Sequence, residues 1–539
     1  MMFQPEDLGL GSWDEFFPVG RAQAKSGSLY DKRKFSLYNA LCHYEWLRQA
    51  QRYNNIPSSV PYTVEYTLNG ENWTNANDYV YIMKLVGTGT IFKEFFIWTP
   101  KNLEGFYRDQ NFYLRTARRL GKKYGACMEV SSGGGGHPYW DLKTAYVVSY
   151  FLSALGMDTL HHDFQSNGPW DAKHNPGNPV LFTTFRNFMA CARGFRQAKL
   201  DRSVRLKTDV RHVMQRSAIF ITGGNNYPVD DGFASWGPML VKAGINYEQT
   251  EPRELPLLLP STRVLFFGSP VCSPETAAQI EKWLSAGNKT LLLHSYVPFS
   301  HAKGRIDLRE LLAEPGQKDG APLFRGFQNG RFSGKAVLTT KSGSPLLSCL
   351  ERGNGSRVYY VHSPLQSLSS LDKQNVMAHL SENLPLPHLT VASDDSAVVA
   401  RYDCGKYQTA VLWNRALVSA VDGKVVKNWH KDKWQWKRQF YDPAAYLFRY
   451  VQPGAFCETG IPVSRNGKWR VFYFLADREI IVESVNKVLP LKLSDALTDI
   501  LYFAPDTPEF RTELEKIKKE RQITVEVLKE AAEYKEELK

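Results

Sequence analysis

The strongest constraint on the fold is an alternation of helical and strand patterns over roughly the first 165 residues. Helical patterns cover residues 33–53, 78–86, 111–123 and 140–155, and strand patterns cover residues 61–68, 92–100, a short apolar segment that ends at Glu129, and 157–165. Because each strand pattern follows a helical one, the alternation predicts βα units and a parallel sheet.

One carboxylate in this region, Glu129, lies at the end of a predicted strand, a position where catalytic residues are common. Glu129 ends its apolar segment, residues 133–136 are all glycine, and His137 and Trp140 follow. A carboxylate at the C-terminal end of a buried strand can attack an anomeric carbon, while an aromatic face packs against the sugar ring. The alternative, that the strand merely ends in a polar residue and the glycines form a turn, stays open on this segment alone.

The neighbouring residues carry a family resemblance. Met128-Glu129 followed by Trp140 resembles the segment around the nucleophile, at the end of strand seven, in the (β/α)8 barrel of glycoside hydrolase family 42 β-galactosidases. Residues 155–158 with Phe164-Gln165 resemble that family's strand eight, and residues 12–15 resemble the stretch after its strand four. The resemblance covers roughly residues 10–310.

The resemblance implies a retaining glycosidase that acts on β-linked sugars, galactosides above all, with Glu129 as the nucleophile. It implies a carbohydrate substrate and neither a cofactor nor a metal. The residues expected to bind substrate are Trp98, His137, Trp140, His162 and Gln165.

The same resemblance exposes a gap. A barrel has eight strands, whereas the pattern shows about four. The family's general acid/base is the glutamate of an Asn-Glu pair after strand four, and no such pair occurs in the first half of this sequence. We therefore expect the front half of the barrel to lie outside this chain, as in a fragment, a split gene with an upstream-encoded half-barrel partner, or a reduced relative. Glu65 and Glu71 are the nearest substitutes for the acid/base. The alternative function is a non-catalytic remnant that serves oligomerisation and glycan binding.

A second alternation predicts a doubly wound α/β domain over residues 212–385. Its strand patterns cover residues 216–223, 246–250, 263–268, 289–295 and 355–362, and its helical patterns cover 231–244 and 273–287. The order resembles class I glutamine amidotransferases. Cys272 is the nearest match to their nucleophile, but Pro270 and a missing second glycine break that motif. The resemblance therefore implies a structural domain and, as in family 42, a homotrimer contact.

The rest of the chain predicts a β-sandwich and a terminal helix. Short alternating strand patterns cover residues 397–402, 408–413, 469–475 and 478–482. Thr507 and Pro508 are typical of a helix start, and the apolar stripe that follows is loose, so we expect this helix on the surface or against another subunit. The expected domains are a partial barrel (1–211), the amidotransferase-like domain (212–385), the sandwich (386–505) and the helix (506–539).

Composition narrows the remaining possibilities. Seven scattered cysteines argue against a disulfide framework, and no apolar run is long enough to span a bilayer, so we expect a cytoplasmic protein. The net charge of +12 includes a basic, tryptophan-rich stretch at residues 429–438. We interpret that stretch as a solvated β-ribbon and consider nucleic acid unlikely as a partner. His161, His162 and Asp163 are adjacent, but alternation along a strand separates His162 from the other two, which disfavours a metal site.

Overall fold

The computed structural model describes parts of the chain. They are residues 12, 49, 62–64, 90–96, 117, 119–121, 123–129, 159–163, 206–213, 236–250, 252–268, 271–272, 274–295, 299–301, 304–306, 321–322, 327–328, 331–391, 396–414, 456–474, 477–494 and 498–533. Up to residue 163 the strands are described by their backbone.

The first sheet has four parallel strands in chain order. They are β1 (Tyr62–Val64), β2 (Thr90–Phe96), β3 (Lys123–Glu129) and β4 (Thr159–Asp163). Parallel neighbours need a long crossover connection, and the helical patterns between the strands have the length to supply one. The predicted parallel sheet is confirmed.

The second sheet has seven strands. They are β5 (Val210–Val213), β6 (Glu248–Thr250), β7 (Val264–Phe267), β9 (Thr290–His294), β15 (Lys335–Thr339), β16 (Pro345–Glu351) and β17 (Arg357–Val361). The spatial order is β15-β16-β17-β9-β7-β5-β6, with β17, β9, β7, β5 and β6 parallel and β15–β16 an antiparallel hairpin at one edge. Counted along the chain, the five parallel strands have the 2-1-3-4-5 order of flavodoxin-like doubly wound sheets.

Helices and pairs of short strands accompany the seven-stranded sheet, and together they form the doubly wound part of the chain. The helices are α1 (Trp236–Lys242), α2 (Leu255–Leu258), α3 (Pro274–Ser285) and α4 (Ser370–Asn383), with 3₁₀ turns at Pro252–Glu254, Leu259–Ser261 and Leu365–Ser367. The short strand pairs are β8 (Val271–Cys272) with β12 (Ala321–Pro322), β10 (Phe299–His301) with β11 (Gly304–Ile306), and β13 (Phe327–Gln328) with β14 (Arg331–Phe332).

The core of this part lies between the sheet and its helices. Ile280, Trp283 and Leu284 of α3 pack with apolar residues of β7 and β9, and the Trp283 indole Nε1 donates to the Thr262 carbonyl at 3.0 Å. The helix patterns at 231–244 and 273–287 and four of the five strand patterns are confirmed within a few residues. The strand pattern at 216–223 lies outside the described residues, and β5 precedes it.

The third part consists of antiparallel strands. Five form one sheet in the order β18 (Ser396–Asp403), β19 (Gln408–Asn414), β24 (Thr498–Pro505), β21 (Gly467–Tyr473) and β22 (Arg478–Ser484), and β20 (Phe456–Pro462) pairs with β23 (Val488–Ser494). Ile461 of β20 and Leu489 of β23 share a buried cluster with Trp469, Val471 and Phe503 of the larger sheet. The two layers therefore enclose one core.

The final helix, α5 (Pro508–Glu533), packs on this antiparallel sheet. The backbone N–H of Phe510 donates to the Thr507 hydroxyl at 3.4 Å, which caps the helix as predicted. Phe510, Leu514 and Ile517 are all buried, at 1%, 1% and 4% exposure, and the Phe510 ring contacts Tyr407. Contrary to the expectation from its loose stripe, the start of this helix contributes to the core of its own chain. None of the described helices is apolar enough over sufficient length to cross a membrane.

Candidate functional site

The candidate site lies at the carboxyl end of the parallel β1–β4 sheet. β3 ends at Glu129, whose Cα is in register with Phe96 at the end of β2 and with Asp163 at the end of β4. The carboxyl ends of parallel strands are where ligands bind in barrels and in open α/β sheets. The fold therefore places the predicted nucleophile at the edge of the sheet where catalytic residues occur.

Asp163 is the neighbour that sequence reasoning did not assign to this site. Parallel strands lie about 4.7–4.9 Å apart, so the Cα atoms of Glu129 and Asp163 are separated by roughly one strand spacing. Asp163 lies near the end of the strand predicted over residues 157–165, but only the register shows that its Cα is level with that of Glu129.

The same arithmetic gives the distance from Glu129 to Val64, the residue before Glu65. Val64 ends β1 and is level with Lys93 of β2, which is level with Ala126 of β3, three residues before Glu129. Two strand spacings across and three residues along separate the Cα atoms of Val64 and Glu129 by about 14 Å. Glu65 and Glu71 themselves lie outside the described residues.

Most of the other predicted substrate-binding residues are also outside the described residues. They are Trp98, His137, Trp140 and Gln165. His162 lies on β4, where its Cα pairs with Met128, one position before the Glu129–Asp163 pair. In the sequence, Trp98 and Gln165 each follow a described strand end by two residues.

Cys272, the nearest sequence match to an amidotransferase nucleophile, is buried. Cys272 lies on β8, between β7 and α3, and is 1% exposed. Burial raises the pKa of the Cys272 thiol well above its usual value. Because the thiolate is the nucleophile, a buried protonated thiol is inert. The position of Cys272 agrees with the broken amidotransferase motif.

A groove of about 530 Å³ lies in the antiparallel part of the chain. Its walls are mainly aliphatic, with Val391, Ile480 and Leu491 among them, and Glu458 and Lys492 form an ion pair at 3.9 Å on its rim. None of the described residues that line it is aromatic. Among the described residues there is no group of three histidine, cysteine or carboxylate side chains placed to hold a metal.

Comparison with known proteins gives a fold and no close sequence relative. No protein-family model and no curated protein matches the sequence. Among solved structures, the chain is similar to a catalytic mutant of a GH42 β-galactosidase from G. stearothermophilus, with 10% identity over 91% of this chain and 71% of that chain and a TM-score of 0.58. A GH42 exo-carrageenase from Bacteroides ovatus is 11% identical over 92% of this chain and 59% of that chain, with a TM-score of 0.47.

The fold of this chain is therefore similar to that of a GH42 β-galactosidase, as the resemblance in the sequence implied. At 10% identity the likeness is one of fold.

Proposed function

We propose that this chain is a glycoside hydrolase subunit that cleaves β-linked sugars, galactosides above all, through a covalent intermediate on Glu129. The observation that carries the proposal is the position of Glu129 as the last residue of β3 at the carboxyl edge of a parallel sheet. The similarity in fold to a GH42 β-galactosidase supports the galactoside part of the proposal.

In this proposal the domains keep the roles that the resemblance implies. Residues 1–211 form the second half of a (β/α)8 barrel, and residues 212–385 form an amidotransferase-like domain that makes the contacts of a homotrimer. Residues 386–505 form a sandwich closed by the helix of residues 506–539. The 2-1-3-4-5 order of the parallel strands supports the second assignment, and the shared core of the two antiparallel layers supports the third.

The mechanism needs a second carboxyl group. A retaining enzyme uses one carboxylate to attack the anomeric carbon and another to protonate the leaving oxygen, and the two groups are about 5–5.5 Å apart. A complete barrel has eight strands and the described sheet has four, so we infer that the acid/base comes from outside these strands, for example from an upstream-encoded partner. Within the chain, Glu65 and Glu71 are the alternative candidates for the acid/base, and the strand register adds Asp163 as a third.

The test of the nucleophile compares two carboxylates on neighbouring strands. Glu129→Gln should abolish hydrolysis of nitrophenyl β-galactoside while the circular dichroism spectrum is unchanged, because an amide cannot form the glycosyl ester. A 2-fluoro-galactosyl inhibitor should label Glu129, as read by mass spectrometry of peptides. The matched control is Glu94→Gln on β2, a carboxylate two residues before the end of its strand, which should stay active.

The outcomes separate the two candidate functions. Labelling of another carboxylate would remove Glu129 from the role of nucleophile. If the folded chain neither hydrolyses nor is labelled, alone or with an upstream-encoded partner, then the non-catalytic alternative is correct. The acid/base is identified separately by substituting Glu65, Glu71 and Asp163 with alanine. Loss of that group lowers turnover by about 10²–10⁴-fold, except on substrates whose leaving group needs no proton.

A further inference from the structure

A partly buried ion pair connects the segment before β3 to the seven-stranded sheet. Arg119 lies in the last helical turn before β3, where the Leu120 N–H donates to the Ala117 carbonyl at 3.0 Å. Gly121 then turns the chain with φ of +69°, and β3 begins at Lys123. Only three residues therefore separate Arg119 from the strand that ends at Glu129.

The partner of Arg119 is Glu254, in the 3₁₀ turn that follows β6. The Arg119 guanidinium donates to Glu254 Oε1 from Nε at 2.9 Å and to both carboxylate oxygens from Nη2 at 2.7 Å. The Thr250 hydroxyl, at the end of β6, donates to Oε2 at 3.0 Å. The Glu254 side chain is 8% exposed and the Arg119 side chain 22%, so the pair is largely shielded from water. Forked pairs of this kind fix geometry as well as charge.

A second guanidinium, that of Arg211, lies close enough to Arg119 for their positive charges to interact. Arg211 on β5 is 7% exposed and pairs with Glu248 at 3.1 Å. Burial, and then the positive charge of Arg119, lower the pKa of Arg211 to about 10. Without Glu254, this forked contact would be lost beside a second, buried guanidinium, and removing one partner of a shielded ion pair is destabilising.

We propose that Arg119 and Glu254 are positioning residues for Glu129, because their ion pair fixes the start of β3 against the end of edge strand β6. This inference rests on the proposed nucleophilic role of Glu129. β3 is paired with β2 along its whole length, from Lys123 to Glu129, so it moves as one unit. A displacement of its start along the strand axis therefore reaches Glu129 almost undiminished. A misplacement of about 1 Å at a reacting group can cost about 100-fold in rate.

The experiment breaks this ion pair and, as a control, a second forked ion pair within residues 212–385. Arg119→Met and Glu254→Gln each remove one partner, and the double variant removes both. The control is Arg352→Met, since Arg352 forms an equally forked pair with Glu281 of α3 at 2.8 Å to each oxygen, far along the chain from β3. Arg119→Lys keeps the charge and loses the fork.

Two readouts are needed, of which the first does not depend on activity. Hydrogen exchange of the β3 amides should speed up at least about tenfold in Arg119→Met and Glu254→Gln and stay unchanged in Arg352→Met. The value of kcat on nitrophenyl β-galactoside should fall at least about tenfold, with KM within about twofold of the parent value. The double variant should be no slower than the slower single variant, because both single changes remove the same contact. Arg119→Lys should recover part of the loss.

The results discriminate between this inference and the proposed function. Equal β3 exchange in Arg119→Met and Arg352→Met would overturn the positioning role whatever the activity. Faster exchange without a fall in kcat in an active parent would overturn it as well. An unmodified chain that hydrolyses no aryl galactoside would refute the proposed function, while the exchange data would still decide whether the ion pair holds β3.

Discussion

Gly244 offers a direct test of how the doubly wound and antiparallel parts of the chain are joined. It follows α1 with φ of +68°, and its carbonyl accepts a hydrogen bond from the Leu389 N–H at 2.5 Å. A Cβ at this position would lie 2.4 Å from the Thr390 carbonyl oxygen and 2.5 Å from Thr390 Cγ2. Gly244→Ala therefore combines left-handed backbone strain with a collision against main chain.

The magnitude follows from a matched glycine. Gly343 has φ of +80° and nothing within 4 Å of its would-be Cβ, so Gly343→Ala should cost only the left-handed conformation, about 1–2 kcal/mol. Gly244→Ala should cost a further ~1–3 kcal/mol for forcing the neighbouring chain aside. The difference between the two variants should therefore be about 1–3 kcal/mol. With an m-value of about 3 kcal/mol/M, this corresponds to a urea midpoint lower by up to about 1 M in Gly244→Ala.

The assay is urea unfolding followed by tryptophan fluorescence, to which Trp236 in α1 contributes as a fully buried reporter. Adding Thr390→Ser to Gly244→Ala should recover part of the loss, because it removes the methyl group and leaves the carbonyl contact. Equal midpoints for Gly244→Ala and Gly343→Ala would refute the reasoning, since the Thr390 contact would then impose no constraint.

Two further predictions concern stability and assembly. Arg511 and Arg470 donate to the Asp506 carboxylate and hold its pKa far below its usual value, so this group stabilises the fold above about pH 4, the unfolded value, and the contribution is lost as the pH falls toward the folded pKa. Asp506→Asn should therefore lower the thermal midpoint more at pH 7 than at pH 2, and an equal loss at both values would contradict this. For assembly, light scattering at micromolar concentration should give about 184 kDa, three times the chain mass of 61.4 kDa, whereas a mass near 61 kDa would rule out the proposed trimer.

Local sequence patterns were sufficient to predict the helices and strands whose apolar pattern is regular along their whole length. The apolar pattern that ends at Glu129 and the helix with Pro274 in its first turn both occur within a few residues of their predicted bounds. β5 was not predicted, because Arg211 and His212 occupy two of its four buried positions and give it no apolar pattern. Arg211 is tolerated there through Glu248 on β6, and that compensation comes from a residue 37 positions further along the chain.

The candidate site shows the same limit of sequence reasoning. A strand end followed by glycines can be found from adjacent residues, so the sequence alone predicts Glu129 as a candidate nucleophile. Glycoside cleavage, however, depends on the distance between two carboxyl groups, and that distance depends on which strands are neighbours and in what register. The register places the Cα of Asp163 about one strand spacing from that of Glu129 and the Cα of Val64, at the end of β1, about 14 Å away. Chemistry that depends on one residue can be read from sequence, whereas chemistry that depends on a pair requires the pairing of the strands.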